Sequence, residues 1–355
     1  MQDNLSTSSF KTNLNFILKL SLFIVLLIPT IIFIGKKYSA ASTENIINKF
    51  NEQRFEEFYS LPTNSLDIVF LGSSHSYCTF DPEIFDNKLN TNSFQLGMPL
   101  QHPDSTYYTL QEVLNYQNPK MVVMEVYWDL LQNDFELNQV KTLFQVLENE
   151  TLKNNYIKED FPLSEKVKYN TNILKYQADY FAYKGNEFNQ KIKTKFNVKD
   201  KESKKQVGTE EYRSKGYVYC NYQMLEDEYN KTNQFKNLDG KDFSFSKTQK
   251  DFLLKIINLC KENNIQLVFV TAPIANVSMD YIKNYNIINE QISNFAKENN
   301  VFYIDYNIIN EKDSLLTNEN FRDDAHLNHS GVEIVSNHFI NLLTNERIYN
   351  YDNNN

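Results

Sequence analysis

The fold of this chain can be inferred from the stretch Leu66-Asp67-Ile68-Val69-Phe70-Leu71-Gly72-Ser73-Ser74-His75. Its first six residues are apolar except for one aspartate, which is typical of a short buried strand, and the Gly-Ser-Ser that follows marks a turn. Asp81-Pro82-Glu83 then begins a helix, because aspartate is a favoured cap and proline is favoured at the first helical position. The segment predicts a strand, a turn that carries serines, and a helix.

Four further runs have the length and composition of buried strands. They are residues 93–97, 121–126, 265–273 and 301–305. Helical patterns precede or follow them at residues 104–116, 247–263, 281–299 and 332–343. Continuous apolar strands that alternate with helices are typical of a parallel sheet covered on both faces. We therefore predict an α/β sandwich with five parallel strands, in which ligands bind at the carboxyl ends of the strands.

The chain between residues 130 and 245 differs from this pattern. It is rich in asparagine, lysine, glutamate and tyrosine, has helical spacing, and shows few strand signals. We interpret it as a helical insertion that either covers the active-site edge or makes no contact with substrate. Within it, residues 199–206 are wholly polar and are expected to form a solvated loop, and residues 353–355 are expected to be a disordered end.

The N-terminal residues 16–34 are almost wholly apolar, and Lys19 is the only charged residue among them. This length fits a bilayer core. An uncleaved anchor, a signal peptide cleaved near Ser39-Ala40-Ala41 and a buried core helix are the alternatives. The length of the run and Lys36-Lys37 before the cleavage site favour the anchor. Lysines are equally frequent on the two sides, so the positive-inside rule assigns no orientation.

These boundaries predict four parts of the chain. Residues 1–40 are a tail and transmembrane anchor, 41–64 a stalk, 65–129 with 246–345 the α/β domain, and 130–245 the insertion.

The chain has 355 residues and a formal net charge of −9, which argues against a nucleic-acid binder because no basic face is available for phosphates. Its three cysteines, Cys78, Cys220 and Cys260, form neither a metal pattern nor a disulfide framework. We expect no metal site and no cofactor.

A second segment, Asp323-Asp324-Ala325-His326, lies near the C-terminus. A serine at a tight turn, a histidine that accepts its proton and a carboxylate that orients the histidine are what nucleophilic acyl transfer needs. Ser74 is the better nucleophile of the serine pair because it lies where a helix N-terminus begins and where backbone N–H groups stabilise negative charge. Asp324 could replace Asp323 if the local turn differs. Each segment alone also fits a helix cap or an exposed polar loop.

Gly72-Ser73-Ser74, Gly97 after the second strand and Asp323-x-x-His326 before the last helix resemble the SGNH (GDSL-type) hydrolase superfamily. The resemblance covers about residues 65–128 and 265–343. It implies a three-layer sandwich, a triad of Ser74, Asp323 and His326, and an oxyanion hole that includes the backbone N–H groups of Ser74 and Gly97.

Two features depart from that superfamily. Ser73 stands where the usual motif has aspartate, and the end of the third strand reads Glu125-Val126-Tyr127-Trp128-Asp129 without a Gly-x-Asn-Asp. The asparagine of the oxyanion hole is therefore unidentified, and one lost donor can cost about 10²–10³ in rate. His75 and His102 flank the Ser74 and Gly97 segments and are candidates for substrate contact.

An apolar N-terminal segment, Gly-Ser-Ser and a tryptophan near the third strand are also similar to DltD-type proteins of teichoic acid D-alanylation and to their relatives in polysaccharide O-acetylation. This resemblance implies a membrane-anchored, extracytoplasmic serine acyltransferase or esterase that acts on a cell-envelope polymer, in some cases with a membrane-bound O-acyltransferase as partner. A non-catalytic relative that binds the polymer or that partner is the alternative. A third hypothesis, an intracellular lipase-like esterase, requires the opposite orientation in the membrane.

Overall fold

A computed structural model of the chain describes residues 3–42, 49–195, 210–225, 228, 233–346 and 348. The expected loop at 199–206 and the expected disordered end at 353–355 lie outside the described residues. The chain forms two compact units, one of Met1–Ile47 with Asp160–Lys204 and one of Asn48–Glu159 with Lys205–Asn355. The second unit contains the α/β domain.

The strands are β1 (Ile68–Leu71), β2 (Ser93–Gln95), β3 (Met121–Glu125), β4 (Glu210–Tyr212), β5 (Val218–Cys220), β6 (Gln266–Thr271) and β7 (Phe302–Asp305). The helices are α1 (Asp3–Ser42), α2 (Lys49–Ser60), α3 (Ser74–Tyr77), α4 (Pro82–Leu89), α5 (Pro103–Tyr116), α6 (Trp128–Gln132), α7 (Leu137–Val146), α8 (Glu150–Asn155), α9 (Leu163–Asn170), α10 (Asn172–Lys195), α11 (Lys247–Glu262), α12 (Asn276–Met279), α13 (Tyr285–Glu298), α14 (Tyr306–Asp313) and α15 (His329–Asn345).

The five predicted strands form one parallel sheet in the order β2-β1-β3-β6-β7. Their apolar side chains are almost all buried, which is why the runs are continuous rather than alternating. From β1 the chain continues to β2, which pairs with one edge of β1. It then crosses to β3, which pairs with the opposite edge of β1. This order places a topological switch point between β1 and β3, where α/β folds of this type bind ligands. The predicted α/β sandwich is confirmed.

Helices cover both faces of the sheet, as the sequence predicts. On one face, Phe70 of β1 packs with Phe80, Phe85 of α4 and Phe339 of α15 in one apolar cluster. The alternate strand residues point to the other face, where α5 and α11 pack on each other. α15 begins three residues earlier than predicted because the Asn328 side chain caps it by accepting from the Gly331 N–H at 3.2 Å.

One element of the insertion differs from the helical prediction. β4 and β5 form an antiparallel two-stranded ribbon within the α/β unit. Val218 and Cys220 are buried, whereas Glu210 and Glu211 of the partner strand are exposed. Three-residue strands carry too few residues for a period to show, so the ribbon escapes recognition in the sequence.

The other unit is a set of helices around the N-terminal segment. α1 contains Leu14–Ser39, which is long and apolar enough to cross a membrane, and the most apolar window of this span is exposed. A signal sequence would meet the same criteria. α10 packs against α1, since a Cβ atom on Gly35 would lie 2.9 Å from the Cβ of Asn172, and the Tyr38 ring stacks on Tyr180 with centroids 4.2 Å apart.

Candidate active site

The turn after β1 brings the ends of β1 and β3 into close contact. Gly72 has φ +127°, a region that residues with side chains rarely adopt. A Cβ atom there would lie 2.8 Å from both the Cβ and the carbonyl oxygen of Glu125. Glycine is therefore required at this position by the backbone conformation and by the neighbouring strand.

Ser73 is hydrogen-bonded to Glu125, the last residue of β3. Its backbone N–H and its hydroxyl both donate to Glu125 Oε2, at 2.9 and 2.7 Å. Its Oγ in turn accepts from the His75 N–H at 3.2 Å and caps α3. Burial raises the pKa of Glu125 to about 7, although the bonds from Ser73 lower it. Ser73 thus has a structural role, and its carboxylate partner comes from another strand.

Ser74 is partly exposed at the first position of α3, while its neighbours Ser73 and His75 are buried. Its Oγ lies 2.8 Å from His326 Nε2. The other ring nitrogen, Nδ1, lies 3.0 and 3.1 Å from the two carboxylate oxygens of Asp323. Because a carboxylate only accepts, Nδ1 carries the proton and Nε2 is free to accept from the serine hydroxyl. The structure brings the three residues of the predicted triad into one hydrogen-bonded chain.

Asp323 remains ionised in this arrangement. Burial alone would raise its pKa, but His326, the nearby Arg322 and backbone donors together hold the pKa well below its usual range. The N–H groups of Ala325 and His326 donate to Oδ1 at 2.8 and 2.7 Å, and Arg322 Nε lies 3.8 Å from Oδ2. A fixed carboxylate of this kind orients the imidazole and stabilises the imidazolium that forms during reaction.

Asp324, the alternative carboxylate, faces away from the histidine. Its two side-chain oxygens accept from the backbone and side-chain N–H groups of Gln234, at 2.9 and 3.1 Å. Its carbonyl accepts from Ser278 Oγ at 2.7 Å. Asp324 therefore anchors the loop that carries Asp323 and His326, and it does not share in the triad.

The oxyanion site is only partly formed by the residues expected for it. The Ser74 N–H has no acceptor among the described residues. The Gly97 N–H instead donates to the side-chain Oε1 of Gln95 at 2.7 Å. In the same loop Leu100 has φ +53°, a strained conformation for leucine of the kind that concentrates at functional sites, and its N–H has no acceptor among the described residues.

The structure places the two other candidate histidines, His75 and His102, differently. The His75 ring packs between the rings of Tyr127 and His326, with centroid distances of 4.2 and 4.7 Å. Burial, and secondly the positive charge that His326 carries when it is protonated, lower the pKa of His75 well below its usual value, so His75 is neutral at pH 7. His102 is buried at the start of α5, and burial lowers its pKa too.

Cys78, the thiol nearest to the site, lies next to Arg322, whose Nη2 is 2.9 Å from the sulfur. Burial raises the pKa of this thiol to about 12. The group is therefore a neutral thiol at pH 7 and a poor nucleophile. The described residues contain no cluster of three or more histidine, cysteine, aspartate or glutamate side chains that could hold a metal ion.

Sequence reasoning missed the supporting residues Glu125, Gln95 and Arg322. Glu125 carried a signal, since it is a carboxylate at the end of an otherwise apolar buried strand. Gln95 had the same kind of signal at the end of β2. Arg322 directly precedes Asp323, and only its burial shows that its charge acts on the site.

The sheet order, the serine at the end of β1 and the Asp-x-x-His loop before the last helix define an SGNH-type α/β hydrolase fold. The family described as "Protein of unknown function (DUF1574)" matches residues 15–335, and the chain belongs to that family. A search of the curated proteins finds no match.

Several solved structures are distantly similar. A candidate acylhydrolase from Bacteroides fragilis is 12% identical and covers 85% of this chain and 100% of its own, with a TM-score of 0.39. A GDSL-like lipase from Bacteroides thetaiotaomicron is 12% identical and covers 84% of this chain and 96% of its own, with a TM-score of 0.37. An acetyl xylan esterase is 13% identical and covers 78% of this chain and 100% of its own, with a TM-score of 0.34. The class assignment rests on the sheet and the site, since these scores are low.

Proposed function

We propose that this protein is a membrane-anchored serine esterase or O-acyltransferase that acts on a cell-envelope polysaccharide or teichoic acid through an acyl-serine intermediate. The observation that carries the proposal is the chain of hydrogen bonds from Ser74 through His326 to Asp323. A partly exposed serine bonded to a histidine that a carboxylate orients is what an activated nucleophile requires.

The reaction follows from this geometry. His326 Nε2 takes the proton of Ser74 while Oγ attacks the acyl carbonyl, and the Ser74 N–H stabilises the oxyanion. The tetrahedral intermediate collapses, the leaving alcohol takes the proton from His326, and the acyl group stays on Ser74. A polymer hydroxyl or water then gives its proton to His326 while its oxygen attacks the acyl-serine, and Ser74 Oγ takes that proton back from His326 as it leaves. Asp323 stays ionised throughout and offsets the imidazolium charge.

Membrane anchoring through α1 belongs to the proposal, with the α/β unit outside the cytoplasm and a membrane-bound O-acyltransferase as a candidate partner. The contacts of Gly35 with Asn172 and of Tyr38 with Tyr180 support retention of α1. Cleavage near residues 39–41 would remove them. A cleaved signal peptide is not expected to pack on a helix of the mature chain.

The test is active-site labelling of the full-length protein in detergent with a fluorophosphonate probe, followed by intact mass. We expect one adduct in the wild type and none in Ser74→Ala or His326→Ala. Asp324→Asn is the matched control, because its amide oxygen can still accept from Gln234 and keep the loop in place, and it should label normally. Absence of an adduct in folded wild-type protein would refute the catalytic proposal.

A second candidate function is non-catalytic binding of the polymer or of an acyltransferase partner. The bond from the Gly97 N–H to Gln95 favours it, because it occupies one of the expected oxyanion donors. This candidate predicts a folded protein that binds envelope polymer in a pull-down and gives no adduct with the probe.

A further inference from the structure

The helices α9 and α10 carry exposed apolar side chains beside the end of the apolar N-terminal helix. Leu163 and Val167 of α9 are 79% and 53% exposed, and Leu174 and Phe181 of α10 are 44% and 56% exposed. Large apolar side chains grouped in this way on one helical pair mark an interaction surface. We call these four residues the apolar edge.

The position of the apolar edge relative to α1 is fixed within this unit. The start of α10 touches α1 at Gly35, and α9 ends immediately before α10. Gly35 lies close to the end of the span Leu14–Ser39, which is apolar enough to cross a membrane. α9 is therefore placed where α1 would leave a bilayer.

α9 is amphipathic in the sense that an interfacial helix requires. Leu163 and Val167 are four residues apart and share one face. At about 100° per residue, Glu165 and Lys168 lie near the opposite face, and their side chains form an ion pair at 2.5 Å. The polar face is thereby satisfied within the helix, while the apolar face has no described neighbour that covers it.

The charge and aromatic content of this region also fit a membrane surface. Residues 160–181, which contain the apolar edge, carry three lysines and three acidic residues, so this region has no net charge although the whole chain carries −9. The same residues include three tyrosines, a side chain enriched at membrane interfaces.

We propose that α9 and the start of α10 form a second membrane contact, in which the apolar edge inserts among the headgroups of a bilayer. This inference rests on the proposed anchoring by α1. The occupant is lipid rather than a second copy of the chain, because the edge adjoins the apolar span of α1 and lies in a region without net charge in an otherwise acidic protein.

The test uses full-length protein in liposomes that contain 30% phosphatidylglycerol, with single cysteines labelled by an environment-sensitive NBD dye. The native cysteines are buried, so an introduced surface cysteine is labelled selectively. The positions are Leu163→Cys and Val167→Cys on the apolar edge. Lys168→Cys is the control on the polar face of α9, and Leu225→Cys, an exposed apolar position 55% accessible in the other unit, is the control for exposure alone.

We expect blue-shifted emission and quenching by doxyl lipids at residues 163 and 167, and water-like emission at 168 and 225. Water-like emission at 163 and 167 overturns the inference, and so does a blue shift without lipid quenching, which would mean coverage by protein. Phe23→Cys within α1 reports on anchoring separately. Quenching at 23 without quenching at 163 and 167 contradicts only the second contact, whereas no quenching at 23 contradicts the anchor and the inference together.

Discussion

The pH dependence of stability at Glu125 is a direct test of how the serine turn is supported. Glu125 is buried beneath Ser73, and burial raises its pKa from an ordinary value of 4.5 to about 7. Each tenfold change in proton affinity between the folded and unfolded states is worth about 1.4 kcal/mol. Ionising this carboxyl therefore costs the folded state about 3 kcal/mol.

The sign follows from proton linkage. Between pH 4.5 and about 7, the folded chain binds more protons at Glu125 than the unfolded chain, so the free energy of unfolding falls as pH rises. The stabilisation by protonated Glu125 is constant at pH values below the pKa of the unfolded state, 4.5. It is fully lost at pH values above the pKa of the folded state, about 7. Glu125→Gln keeps the acceptor oxygen for Ser73 and cannot ionise, so this slope should vanish in the variant.

The assay is urea unfolding of the full-length protein in detergent, from pH 4.5 to 8. Trp128 is the single tryptophan of the chain and is buried in the α/β unit, so its fluorescence follows the unfolding of that unit. We expect Glu125→Gln to gain about 3 kcal/mol relative to wild type between pH 4.5 and 8. Other titrating groups act equally in both proteins and cancel in the difference. A difference that stays flat over this range would falsify the reasoning.

Three further outcomes follow from the site. Asp323→Asn should slow fluorophosphonate labelling by roughly 10⁴-fold, because the carboxylate that fixes the His326 tautomer is lost; labelling at the wild-type rate would exclude the triad. Gly72→Ala should lower the free energy of unfolding by about 3 kcal/mol, through its φ of +127° and the contact with Glu125, and an unchanged urea midpoint would contradict this. Leu100→Gly should raise the free energy of unfolding by about 1 kcal/mol, because it relieves a left-handed backbone at an exposed side chain, and a loss of stability would show that the leucine makes a needed contact.

The sequence determined the elements that depend on neighbours in the chain. Buried strands must be apolar throughout, so β1, β3 and β6 were visible as continuous runs. The aspartate and proline that start α4 are equally local, since capping involves residues two or three positions apart. The Gly-Ser-Ser turn and the Asp-x-x-His segment could be read for the same reason, because each motif lies within a few residues.

Interactions between residues that are distant in the chain appear only in the folded structure. Glu125 supports Ser73 across two strands, Gln95 occupies the Gly97 N–H, and Asp324 turns to Gln234 rather than to His326. The packing of α10 on α1, more than a hundred residues away in the chain, had no counterpart in any local pattern. A hydrogen bond or a packing contact depends on the positions of two atoms in space. Periodicity and spacing along the chain describe only which residue types lie near each other in sequence.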